Sequence, residues 1–167
     1  AKDNSNLSGR GPITDRIAAL LSSWSMYGAG DTRGAIAAID KLNGAEWYPI
    51  FKDLHAGMIY DLANRPKEAA TRLEKSYKLD DSAVRVGDAY GRLLSRTQGV
   101  DAATAVYESL EKKLPRHPLV QDALRELKAG KKLPPLVDSP QAGAAEALYG
   151  IGASLTRRGG EDLALIY

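Results

Sequence analysis

Apolar residues recur along most of the chain at three- and four-residue spacing, the period of a helix with one buried face. In residues 50–62, Leu54, Met58 and Leu62 share one helical face. Asn64-Arg65-Pro66 interrupts the pattern, and Pro66 suits the first turn of a new helix. Residues 67–78 then resume it through Ala69, Ala70, Leu73 and Tyr77. The same helix–turn–helix rhythm predicts helices over 13–27 and 32–42 around Gly30-Asp31. It predicts another pair over 84–95 and 102–114 around Thr97-Gln98-Gly99. Asp80-Asp81-Ser82 offers N-cap chemistry ahead of residue 84, and Asp101 offers it ahead of residue 102. An extra helix fits 119–128, followed by a loop marked by Pro134-Pro135. A last helical pattern starts at Ala142, turns at Gly159-Gly160 and continues to Tyr167.

These segments are copies of one unit. Ala35, Ala69 and Ala103 are spaced by 34 residues, as are Ser23, Gly57 and Gly91, then Ile39, Leu73 and Tyr107, then Leu42, Ser76 and Leu110. A shared period of that length is the mark of stacked helical hairpins, because a single hairpin cannot bury its own apolar side. The expected organisation is a polar, Gly-rich, disordered lead-in at 1–12, then three units plus the extra helix at 13–129. A Pro-rich loop at 130–141 and the start of a fourth, truncated unit at 142–167 complete it. The apolar run Leu163 to Tyr167 carries no helix stop, so the chain reads as a fragment of a longer protein, with an end prone to self-association.

Composition narrows the function. With 23 basic and 21 acidic side chains the net charge is +2, too balanced for a nucleic-acid or anionic-membrane partner. No apolar run reaches the roughly 20 residues of a membrane span. The absence of cysteine excludes disulfides and thiolate metal sites. Only His55 and His117 are available as catalytic bases, and neither has a nucleophile at useful spacing. No metal-ligand spacing occurs, and Gly9-Arg10-Gly11 and Gly150-Ile151-Gly152 lack the strand and lysine of a phosphate loop. A non-enzymatic chain without cofactor is expected.

The units resemble the tetratricopeptide repeat. That resemblance rests on Gly57, Tyr60 and Ala69 in the second unit, and on Gly91, Ala103, Tyr107 and Pro115 in the third. Gly152 and Ala164 carry it in the fourth. The first unit departs, with Ser23 and Met26 in place of glycine and the aromatic, and the family's early Trp is replaced by Ala19, Asp53 and Gly87. The resemblance implies an all-α solenoid of helix–turn–helix repeats forming a right-handed superhelix of eight or nine helices. It implies a scaffold that binds a protein or peptide in the concave groove lined by the first helix of each unit. The alternative is a purely structural segment of a longer protein whose catalytic or effector domain lies elsewhere. Residues 54–70, LHAGMIYDLANRPKEAA, and 143–167, GAAEALYGIGASLTRRGGEDLALIY, resemble the C-terminal half of multi-repeat proteins of alphaproteobacteria, several of them exported. That implies a bacterial cell-envelope setting and leaves the cytoplasm open.

Threading the chain onto the repeat places Trp24, Tyr27, His55, Met58, Asp61, Arg85, Asp88, Arg92, Arg96, Tyr149 and Arg157 along the groove. Arg85, Arg92 and Arg96 fall within about 40° of one another on a helix. They could grip the carboxylates of an acidic partner by paired hydrogen bonds, or pair with Asp88 in their own helix. Trp24 is either an exposed anchor or core packing. Leu20, Leu54, Trp24 and Met58 stand where some members of the family carry a Lys and Asn clamp for a terminal carboxylate, so that clamp is not expected.

Overall fold

A computed structural model of the protein describes residues 12–42 and 48–157. Within them the chain forms eight α-helices and no strand. These are α1 (Pro12–Gly28), α2 (Thr32–Asp40), α3 (Tyr48–Leu62), α4 (Pro66–Leu79), α5 (Val84–Thr97), α6 (Val100–Lys113), α7 (Pro118–Lys128) and α8 (Pro140–Arg157). The lead-in at 1–11, the Gly159-Gly160 turn and the apolar stretch 163–167 lie outside the described residues.

The 34-residue period is written into the backbone. Each first helix ends with the same six-to-one hydrogen bond: Asp31 N–H to Met26 O, Arg65 N–H to Tyr60 O and Gly99 N–H to Leu94 O, at 2.9–3.0 Å. This bond satisfies a carbonyl orphaned at the helix end and needs a left-handed residue nearby. Gly30, Asn64 and Gly99 supply it, with φ of 88°, 56° and 102°. Each second helix then opens with an equivalent bond, from Ala35, Ala69 and Ala103 N–H to the carbonyls of Asp31, Arg65 and Gly99.

Short turns fold the helices back on themselves, so α1 packs on α2, α3 on α4 and α5 on α6, and consecutive pairs pack on one another. The three repeated alanines are fully buried, as are Ile39, Leu73 and Tyr107. Small residues set how closely each pair closes. A Cβ on Gly57 would come within 2.5 Å of Leu73, and one on Gly91 within 2.6 Å of the Tyr107 ring. Both are the same sixteen-residue offset, and the two glycines occupy like environments. One cluster of apolar side chains joins α1 to α5 with α8, and a second joins α5 to α7. Tyr77 and Tyr90 touch both, their rings 5.4 Å apart.

Two caps differ from the expected ones. α5 starts after Ala83 without a side-chain cap, while Asp80 turns inward to accept hydrogen bonds from Ser82 N–H and hydroxyl. α6 starts at Val100, two residues early, with Gly99 at its N-cap position. The left-handed glycine that closes α5 thus also opens α6, which leaves Asp101 inside the first turn, where its charge favours the helix N-terminus.

The helix after the Pro-rich loop does not extend the row beyond α7. α8 packs against α1 and α3. Pro140 at its start lies beside Gly28 at the end of α1, and Gly150 near its other end faces Phe51 at the start of α3. α8 therefore runs antiparallel to α1 and α3. Its Gly143, Ala147 and Gly150 point inward at spacings of four and three.

The close approach at Gly91 gives a test. Replacing a helical glycine by alanine gains about 1 kcal/mol in propensity, whereas forcing a methyl into a packed core costs about 1–3 kcal/mol. Tyr107 is fully buried and its hydroxyl is tied to Asp88, so its ring has nowhere to go. Gly91→Ala should lower stability in urea denaturation by about 1 kcal/mol net. A more stable variant would show that the ring yields.

Candidate functional site

The exposed ends of the first helices, α1, α3 and α5, define one long face, and the protein covers much of it with its own chain. The covering begins on α5. Arg85, Asp88, Arg92, Ser95 and Arg96 project from one side of that helix, at intervals of three, four, three and one. Asp88 is fully buried beneath them. Its Oδ1 accepts from the Tyr107 hydroxyl at 2.6 Å and from Arg92 Nε at 2.7 Å, and its Oδ2 lies 3.7 Å from Arg85 Nη1. Burial, and then the Asp88 charge, raise the Tyr107 phenol pKa well above its ordinary value, so it stays a donor to Asp88.

The arginines reach past Asp88 to α3, to α8 and to the segment that crosses between α7 and α8, residues 129–139. Arg96 makes a two-pronged pair with Asp61 on α3, at 2.9 and 2.6 Å, and donates from Nε to Leu133 O at 2.9 Å. Arg92 donates to Pro134 O at 3.2 Å. Ser95 Oγ accepts from Leu133 N–H at 2.9 Å, so that residue's amide and carbonyl are both held by α5. Leu133 and Val137 are buried. Farther along, Arg85 forms a two-pronged pair with Glu146 of α8. All three arginines thus pair within the protein, and only one of their carboxylate partners, Asp88, is on their own helix.

The aromatic end is closed by α8. Trp24 is 1% exposed, and its indole N–H donates to His55 Nδ1 at 3.0 Å. Tyr27 meets the Trp24 ring edge-on at 6.2 Å and keeps part of its surface exposed. Met58 is buried. A Cβ on Gly143 would fall 2.3 Å from the Trp24 ring, so only glycine lets α8 lie this close. Trp24, His55, Met58 and Asp88 therefore form the buried floor, and Tyr27, Arg85, Arg92 and Arg96 are part-exposed. Tyr149 on α8 is 60% exposed.

An open cavity of about 820 Å3 lies at the end where α3 and α5 begin and α8 finishes. Phe51, Leu54, Val84, Leu114, Leu119 and Tyr149 give it an apolar lining, and Arg85, Glu146, Lys113 and His117 add polar groups. Among the described residues no cluster of three or more His, Asp and Glu could hold a metal ion. Nor is any described helix long and apolar enough to cross a membrane.

The sequence pattern did not reveal Glu146 and Ser95 as partners of the arginine row, or Leu133 and Val137 as its cover. The available signal was weak: Leu133, Leu136 and Val137 interrupt an otherwise polar loop, and α8 carries small residues at 143, 147 and 150.

The helices and their face define a class, an all-α protein of repeated helix pairs with a partly self-covered polar and aromatic face. No family model and no curated protein matches the chain.

His55 makes the closed end sensitive to acid. Burial lowers its pKa from 6.5 to about 4, and its Nδ1 is occupied as an acceptor by Trp24. Above pH 6.5 the folded and unfolded chains are both neutral here, and the full stability is present. Between pH 6.5 and about 4 the unfolded chain takes the proton first, so this contribution falls by about 3 kcal/mol across the window. Urea denaturation at pH 7.5 and 4.5 should show His55→Gln losing less stability on acidification than the parent. Equal losses would place the acid sensitivity elsewhere.

Proposed function

We propose that the protein is a non-catalytic scaffold of the tetratricopeptide type, a solenoid of helical hairpins that binds a protein or peptide partner on the face formed by its first helices. The observation that carries this reading is the open cavity of about 820 Å3 with Tyr149 exposed on its rim. Pockets of this size with an apolar lining and a few convergent polar groups are where side chains or short segments of a partner anchor. An exposed tyrosine supplies large contact area at low entropic cost. The polar groups at the same rim, Arg85 and Glu146, already pair with each other, so partner affinity rests on apolar anchoring more than on net charge. The 34-residue recurrence of caps, turns and buried alanines supports the repeat type.

A second reading has its own support. The chain itself fills most of the face, with Trp24 and Val137 buried and the three arginines paired inside the protein. That favours a structural segment whose surface serves only to hold a larger protein together.

A photoreactive amino acid at position 149 should cross-link a partner in the source cells. The purified partner should then bind Tyr149→Ala at least tenfold more weakly than the parent. Met26→Ala is the control, since Met26 is also exposed but sits at the end of α1, away from the cavity. Circular dichroism would confirm that both variants stay helical. Equal affinity for the parent and Tyr149→Ala would favour the structural reading.

A further inference from the structure

The covering segment has features of a bound ligand. Between α7 and α8 the chain leaves the stacked pairs at a left-handed Gly130 and crosses the face. Among the described residues α8 makes no packing contact with α6 or α7, the helices that precede it. It packs against α1 and α3, distant in sequence, and its Glu146 pairs with Arg85 of α5. The crossing backbone is gripped as a peptide would be, with the Leu133 amide on Ser95 and the Leu133 and Pro134 carbonyls on Arg96 and Arg92. Two apolar side chains, Leu133 and Val137, are sunk into the face. One carboxylate, Glu146, is held by Arg85 at the rim, where both groups keep some exposure to water.

The inward positions of α8 are glycine or alanine at 143, 147 and 150, and the larger Leu136 and Leu148 pack on the core only part-buried, so these positions remove less apolar area from water than the fully buried Leu and Ile that bind the pairs to each other. Part-exposed ion pairs of the Arg85–Glu146 kind contribute little to stability. A region held by few large apolar contacts and by part-exposed polar bonds opens before the core does.

We propose that residues 131–150 are an internal ligand that occludes the groove and lifts off the helix pairs as a unit, admitting a peptide with an extended apolar segment and an acidic residue. The proposal rests on the reading of the face as a binding surface. It deepens that reading by naming the occupant to be displaced and the chemistry that replaces it: backbone carbonyls for Arg92 and Arg96, apolar side chains for the sites of Leu133 and Val137, a carboxylate for Arg85.

Native-state hydrogen exchange on the whole protein tests the opening. The amides of Leu133 and of residues 143–150 should exchange at least tenfold faster than the slowest amides of α3 and α5. Gly143→Ala, which presses a methyl onto the buried Trp24 ring, should speed exchange of 131–150 by a further tenfold and leave α5 and α6 unchanged. Glu146→Gln, which frees Arg85 without touching the core, should act in the same direction by three- to tenfold. Exchange of 131–150 at the rate of α3 in all three proteins overturns the proposal, because the segment would then belong to the cooperative core.

A synthetic peptide of residues 131–150 tests the groove separately. It should bind Gly143→Ala or Glu146→Gln at least tenfold more tightly than the parent. A segment that opens in the exchange experiment while the peptide fails to bind any of the three proteins would retain the motion. It would remove the binding surface, and with it both the proposed function and the internal ligand.

Discussion

Everything in this fold depends on how closely the two helices of a pair can approach. The notch left by a glycine in α3 and in α5 receives the large residue sixteen positions on, Leu73 at Gly57 and Tyr107 at Gly91. In the third pair that steric fit also does electrostatic work. Tyr107 fills the notch, its hydroxyl emerges beside Asp88, and Asp88 can then be buried because it has a donor beneath it and arginines above it. A buried carboxylate without such partners would be neutral or destabilising. Asp88 in turn holds Arg92 and helps to orient Arg85, which are the groups that reach the crossing segment. The face is thus organised from the helix pair outward, and Gly91 is linked to α8 through Tyr107, Asp88 and Arg85 without touching it.

The first pair solves the same problem differently. Ser23 takes the glycine position and turns its hydroxyl back to Ala19 O. The space on the other side of α1 is filled by Trp24, which is too large to be buried without a partner for its N–H. His55 supplies that partner, at the cost of being held neutral in a fully buried site. The weakest match to the repeat therefore coincides with the place where α8 lies against the pair, Gly143 beside Trp24.

The period, the turns and the burial of the repeated alanines were legible in the sequence because each is local: a 34-residue recurrence and a left-handed residue require no knowledge of distant contacts. Gly57 and Gly91 could be read as close-approach positions on the same grounds. The caps at Ala83 and Gly99 were not, since Asp80 and Asp101 are equally good caps by type and only the turn geometry decides between them. The larger gap concerned direction. Repetition predicts that a helix following the third unit continues the row, but what sends α8 back to α1 is the complementarity of Gly143 with Trp24 and of Gly150 with Phe51, pairs separated by about a hundred residues or more. The arginine row was legible as a row, and Asp88 as one partner. Asp61 and Glu146 lie on other helices, so those pairings were invisible.

Residues 131–150, proposed as a tethered cover, also set a scale for any partner proposed for this face. A segment joined to its site by a short linker is present at an effective concentration in the millimolar range. If it occupies the site most of the time, a partner's apparent affinity is its intrinsic affinity reduced by the fraction of open protein. With one molecule in a hundred open, a partner of intrinsic micromolar affinity would appear at about 100 µM. Weak and short ligands are thereby excluded. Partners that engage the cover's sites together with the open cavity beside them, whose lining is continuous with Arg85, Glu146 and Tyr149, gain an anchor that needs no displacement. Under the proposed function the cavity is the point of entry and the covered face the source of selectivity, because only a ligand that reproduces the apolar and acidic contacts of residues 131–150 recovers what their removal costs.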